Sequence, residues 1–198
     1  MILPNYKMNN YKIRLGSLAL FIKRKLVELL SANTITVIDI IFEDFINYKK
    51  ACMTIEMPYC DFKCNKDCGK NVCQNFELLN SKTISIDIDD LIERYLSNPI
   101  THSVCFQGLE PFYKDSYKEV YNLIKTLRVK YNCNDDIIIY TGYTEEECIK
   151  YGYIKPLMQL SDNNIIIKYG RFIPGHDPHL DDILKVKLSS DNQYAKII

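Results

Sequence analysis

The stretch Cys52-Met53-Thr54-Ile55-Glu56-Met57-Pro58-Tyr59-Cys60-Asp61-Phe62-Lys63-Cys64 runs an apolar segment of strand character into a loop that opens on cysteine. The loop continues to Asn75 and holds Cys60, Cys64, Cys68 and Cys73, with three, three and four residues between them, half of the eight cysteines in the chain. Glycine, asparagine and lysine replace periodic apolar residues there, so the segment reads as a loop built to hold something.

Composition narrows what that could be. At 198 residues the chain suits one domain, or one domain with an appendage, and is long enough to bury a sizeable core. Twenty-five lysines and arginines balance 25 aspartates and glutamates, so no basic surplus points to nucleic acid. Eight cysteines suit either an exported disulfide scaffold or a reduced protein that uses its thiolates. The apolar run Leu15-Gly16-Ser17-Leu18-Ala19-Leu20-Phe21-Ile22 is far shorter than a membrane span and meets Lys23-Arg24-Lys25. The expectation is a cytoplasmic protein without a membrane span, in which clustered cysteines bind metal or react.

Residues 1–34 stand apart. Leu15, Leu18, Phe21, Ile22, Leu26, Leu29 and Leu30 recur at helical spacing with charged residues between them, which predicts an amphipathic helical extension preceding a domain over 35–198. From Thr34 the pattern alternates. Thr34–Ile41 and Cys52–Glu56 read as strands, and Asp87 caps a helix over Ile88–Leu96 that Asn98-Pro99 stops. Ser103–Gln107 is a short buried strand, Tyr113–Tyr131 a long helix, Ile137–Tyr140 a strand, Thr144–Glu147 the acidic start of a helix, and Ile165–Ile167 a strand. Apolar strands separated by amphipathic helices predict a parallel α/β sheet, in which function gathers at the carboxyl ends of the strands. The cysteine loop, Gln107–Pro111 and Thr141–Tyr143 all fall just past a strand end.

For the cysteine loop itself, spacing leaves three readings open. Paired as Cys60/Cys64 and Cys68/Cys73, the thiols would suit tetrahedral zinc. Three of them would hold three irons of a 4Fe-4S cluster and leave one iron free for a ligand. Some could be small buried hydrophobes, which is the reading for Cys52, Cys105, Cys133 and Cys148. A zinc or iron-sulfur module with a purely structural loop would need nothing from Gly108–Pro111, whereas an open iron needs a bound cofactor and polar groups to orient it.

Cys60-x3-Cys64 followed by Cys73-Gln74-Asn75 resembles the radical S-adenosylmethionine signature, in the form found in activating enzymes of glycyl-radical proteins. Gly108-Leu109-Glu110-Pro111 looks like that superfamily's Gly-Gly-Glu-Pro motif. Tyr140-Thr141-Gly142-Tyr143-Thr144, Gly170-Arg171-Phe172 and Ser189-Ser190-Asp191-Asn192-Gln193 are similar to segments of anaerobic ribonucleotide reductase activating proteins, so the resemblance covers about 35–198.

The resemblance implies a partial, open parallel β/α barrel with an N-terminal helical extension, a 4Fe-4S cluster and S-adenosylmethionine. It further implies a radical enzyme with an electron donor and a glycyl-radical partner such as an anaerobic ribonucleotide reductase. Carried onto this chain, it makes Cys60, Cys64 and Cys73 cluster ligands, with Cys68 as the alternative third ligand. Gly108, Leu109, Glu110, Pro111, Thr141 and Asn75 become cofactor-binding residues, Glu110 meeting the amino group of the methionine moiety. No catalytic side chain is required beyond these, so His102, His176 and His179 are not expected as catalysts; His176 and His179 flank Asp177-Pro178 in a turn and read as solvated, the alternative being a second metal site with Asp177. The chain departs from the family in having eight residues between Cys64 and Cys73 in place of two, Val72 where an aromatic often stands, Leu109 for glycine, and Tyr169 for aspartate. Cys73 is preferred because Gln74-Asn75 follows it and an insert can loop outward without moving its ends.

Overall fold

The computed structural model describes residues 33–198. The amphipathic helix expected over 15–30 lies outside the described residues. A six-stranded sheet runs in the order β10-β7-β6-β5-β3-β2, built from β2 (Asp39–Asp44), β3 (Cys52–Met57), β5 (Ser103–Gly108), β6 (Asp136–Tyr140), β7 (Ile165–Tyr169) and β10 (Tyr194–Ile197). The four central strands are parallel, as the alternating pattern predicts. Both edges, β2 and β10, are antiparallel to their neighbours, which the sequence reading did not foresee. Those edges leave the sheet open among the described residues: this is a mixed α/β fold with a parallel centre rather than a closed barrel.

The β-branched run from Thr34, expected as one strand, is two. β1 (Thr34–Val37) pairs with β4 (Ile84–Asp87) in a separate ribbon, while β2 pairs with β3. Ile38 marks the break and donates its N–H to Glu56 O at 2.7 Å. One continuous strand could not serve two partners in different sheets. A short pair, β8 (His179–Leu180) with β9 (Lys187–Leu188), completes the strands.

The helices are α1 (Lys63–Cys68), α2 (Ile88–Ser97), α3 (Lys114–Val129), α4 (Glu145–Lys150) and α5 (Ile154–Met158). Asp87 caps α2 as expected, accepting from the N–H groups of Asp89 and Asp90. Thr144 and Glu147 form a capping box at the start of α4. Among the described residues no helix is long and apolar enough to cross a membrane.

Strand alternation divides the core into two layers. Met53, Ile55, Val104, Phe106, Ile137, Ile139, Ile165 and Ile167 face α2 and α3 and pack with Leu91, Tyr95, Val120 and Leu127. Their in-between neighbours Cys52, Cys105, Ile138 and Ile166 face the other way and pack under Tyr48, Leu184 and Leu188. Toward the carboxyl ends this second face turns polar, since the next residues on it are Gln107, Tyr140 and Lys168. The change of character along one face opens a site at that end.

Gly108 ends β5 at φ 87°, and a Cβ there would stand 2.9 Å from Met57 N, so the two strands approach as closely as glycine allows. Gly108→Ala should therefore lower the unfolding free energy by about 2 kcal/mol or more. Urea unfolding under reducing conditions measures this, and an unchanged midpoint would contradict the close approach.

Candidate functional site

A cavity of ≈ 440 Å³ opens over the polar end of the second face, walled by the segments that follow β3, β5, β6 and β7 and by the approach to β10. The three loops singled out from the sequence thus share one cavity. All eight cysteines are free thiols. Cys60, Cys64 and Cys73 line the cavity, and Cys68, at the last turn of α1, does not. Cys52, Cys105 and Cys148 are buried and Cys133 is half-buried, away from it.

The long spacing between Cys64 and Cys73 is resolved by Asn65. Its side-chain oxygen accepts the backbone N–H of Val72 at 2.8 Å and of Cys73 at 2.9 Å, which draws the far end of the insert back beside its start. Cys64 and Cys73 are consequently near enough for each thiol to feel the other's charge. Cys60 Sγ accepts the N–H of Phe62 at 3.2 Å. Burial pushes the Cys60 thiol up to about 12 and the Cys64 thiol up to about 11, so binding a metal here displaces protons.

Gly108 and Asn75, far apart in sequence, meet: Asn75 Nδ2 donates to Gly108 O at 2.5 Å. Leu109 accepts the place of a glycine because the left-handed residue is Gly108 and not Leu109. Its N–H donates to Met57 O at 3.0 Å, and that of Glu110 to Tyr59 O at 2.8 Å. Pro111 is buried but does not line the cavity.

Glu110 is 3% exposed. Its Oε1 accepts from Thr141 Oγ1 at 2.7 Å and from the N–H of Phe112 at 3.0 Å, and its Oε2 from the N–H of Gly142 at 2.8 Å. Burial raises its pKa to about 7 despite these donors, which pull it back. No cation pairs with it among the described residues.

Residues to which the sequence reading gave no role in the site, some of them inside its motifs, stand in and around the walls. Tyr143 donates to Asp61 Oδ2 at 3.1 Å, tying the β6 loop to the cysteine loop. Arg171 holds Glu147 through Nη2 at 2.5 and 2.6 Å and meets Asp67 Oδ2 at 3.0 Å, while Lys63 pairs with the same glutamate. Burial acts to raise the Glu147 pKa, but bonds from Lys63, the Thr144 N–H and Arg171 outweigh it and hold the carboxyl at about 2. Lys168, 7% exposed, also lines the cavity; a lysine in an otherwise apolar strand was the available signal. His176 pairs with Asp191 at 2.5 Å and stands outside the cavity. Among the described residues, no three of His, Cys, Asp or Glu are drawn together tightly enough to chelate one metal ion.

A family model described as a 4Fe-4S single cluster domain matches residues 51–194. No curated protein and no solved structure matches the chain. The donor set fits such a cluster: three reduced thiols line one cavity, and two of them are close neighbours.

Glu110 gives a pH signature of its own. With its pKa raised from 4.5 to about 7, the folded form keeps a proton that the unfolded chain has lost. The stability it lends is complete below about pH 4.5 and declines as pH rises toward 7. Between those limits the cluster-free wild type should lose about 3 kcal/mol more than Glu110→Gln, the equivalent of the shift. Urea unfolding across that range measures the difference, and parallel slopes would contradict it.

Proposed function

The chain belongs to the family of 4Fe-4S single-cluster domains, and from that premise we propose that it is a radical S-adenosylmethionine enzyme of the glycyl-radical activating type. The observation that carries this reading is one cavity lined by Cys60, Cys64, Cys73, Asn75, Glu110 and Thr141. Glu110 is buried in that cavity with no ion-pair partner among the described residues and a pKa raised to about 7, a combination that marks a site.

In this reading Cys60, Cys64 and Cys73 bind as thiolates and Cys68 stays out. When bound, the cluster and S-adenosylmethionine supply one-electron cleavage of the sulfonium carbon–sulfur bond, yielding a 5′-deoxyadenosyl radical. The chain's own residues bind, orient and exclude water. Glu110 accepts the amino group of the methionine moiety in a charge-assisted hydrogen bond. Thr141 and the Gly142 N–H hold that carboxylate in position, and Asn75 fixes the loop carrying it through Gly108. Leu109 and Tyr143 help to shut out water as largely buried walls.

By the resemblance, the hydrogen donor is a glycine of a large partner such as an anaerobic ribonucleotide reductase, and a separate donor delivers the electron. Residues 35–198 form the catalytic domain in this proposal, 1–34 an extension, and the working compartment is the cytoplasm.

Anaerobic reconstitution followed by iron, sulfide and 5′-deoxyadenosine assays tests the proposal. Wild type and Cys68→Ala should take up about four irons per chain and cleave S-adenosylmethionine after reduction. Cys60→Ala, Cys64→Ala and Cys73→Ala should each lose most of both. Full activity in Cys73→Ala would overturn the ligand choice, and a colourless, zinc-loaded protein would favour a structural module.

A further inference from the structure

Fifteen tyrosines and no tryptophan make the phenol ring the most easily oxidised aromatic group in this chain. Five of them stand ring to ring beside the cavity. Tyr143, which lines the cavity and is 4% exposed, has its ring centroid 5.6 Å from that of Tyr151 and 6.4 Å from that of Tyr153. Tyr151 and Tyr153 are 5.7 Å apart, Tyr153 and Tyr117 4.4 Å, and Tyr117 and Tyr121 6.3 Å. These are the separations of packed aromatic pairs. The group runs outward, for Tyr151 is 46% exposed.

Local geometry fixes both ends. The Tyr143 hydroxyl donates to Asp61 Oδ2 at 3.1 Å, which aims it at the cysteine loop beside Cys60. Tyr151 and Tyr153 close the turn after α4, their N–H groups donating to Glu147 O at 2.9 Å and to Cys148 O at 3.0 Å. Packing asks only for the rings. An unbroken row of phenols from a cavity wall to solvent has a one-electron chemistry that phenylalanines would lack.

Iron in that cavity sets the need for it. Ferrous iron and hydrogen peroxide give hydroxide and a hydroxyl radical, one electron passing from the metal to the peroxide. The radical attacks what is nearest, and a cysteine driven to the sulfonic level is not recovered.

We propose that Tyr143 and Tyr151 form a protective relay that carries oxidising equivalents from the cavity to the protein surface, away from the cluster thiols. The hydroxyl radical takes the hydrogen atom of the Tyr143 O–H and leaves as water. The Tyr143 radical then takes an electron from Tyr151 and a proton from water, while Tyr151 gives its own proton to water. At the surface a soluble thiol returns a hydrogen atom to Tyr151 and becomes the thiyl radical. Tyr153, near both rings, offers a second way between them. The relay rests on the cluster-binding part of the function proposed above and not on S-adenosylmethionine.

The test loads the full chain with iron and sulfide anaerobically, counts the iron, and adds hydrogen peroxide without thiol. In wild type, freeze-quenched electron paramagnetic resonance shows a tyrosyl radical whose spectrum narrows when the tyrosines carry ring deuterium. Peptide mass spectrometry then finds oxidation and dityrosine cross-links concentrated at Tyr151. Per iron bound, Tyr143→Phe loses most of the radical and Tyr151→Phe most of the cross-link, and in both the oxidation of Cys60, Cys64 and Cys73 rises severalfold.

Tyr59, 39% exposed and next to Cys60 in sequence, is the internal control. Oxidation that falls on Tyr59 in place of Tyr151, or cysteine damage that Tyr151→Phe leaves at the wild-type level, overturns the relay. Tyr151 is a surface residue, so Tyr151→Phe carries the comparison if Tyr143→Phe does not fold. A chain that takes up no iron overturns the cluster reading and the relay together, and the iron count separates that result from a loaded protein whose Tyr151 stays intact.

Discussion

The rim at the carboxyl end of the sheet is organised around one buried carboxylate that makes no ion pair among the described residues. Glu110 is buried, yet all its protein donors are neutral: a hydroxyl from Thr141 and two backbone N–H groups from Phe112 and Gly142. Together with its own N–H on Tyr59 O, these bonds join the segments that follow β3, β5 and β6 into one rim. A group that is costly to bury is tolerated where fixed dipoles converge on it, and the donors are fixed because they belong to backbone at strand ends. The close approach at Gly108 follows from the same demand, since the β5 loop must pass near β3 to bring Glu110 to that spot.

A second constraint acts from the side. Glu147 caps α4 through Thr144 and also receives Lys63 and Arg171, so a helix start and the cysteine loop share one anchor. Arg171 is only 11% exposed in its side chain and Glu147 21%, which sets their pairing apart from ordinary surface ion pairs. The contact of Arg171 with Asp67, whose side chain is 55% exposed, is a weaker tether on the insert. The cysteine loop, which lacks a core of its own, is thereby referenced to elements that follow β6 and β7.

Much of this was legible in the chain because burial on both faces leaves plain marks. Short runs such as Ile137–Tyr140 and Ile165–Ile167 could only be central strands, and three unusual loops after such runs predicted one rim. The edges were harder. β2 and β10 pair on one side only, and nothing local in Tyr194–Ile197 announces an antiparallel return to β7. The division of the run at Ile38 was hidden for a related reason: propensity reports that a residue suits a strand and is silent about which strand it joins. Within the site, Cys60, Cys64, Cys73, Asn75, Gly108, Glu110 and Thr141 carried motif-like spacing. Asn65, Lys63 and Glu147 did not, since an asparagine oxygen turned on a backbone seven or eight residues away leaves no periodic trace.

That asparagine has one more consequence. By binding both Val72 and Cys73, Asn65 turns residues 66–71 into a side branch whose length is uncoupled from the separation of the thiols at its base. The branch could grow or shrink over generations at little more than the expense of the Asp67 tether, while the cavity saw no change. The separation of the two thiols is then set by that closure and not by the eight residues between them. What the fold holds fixed is the closure of the loop and not the count of residues within it.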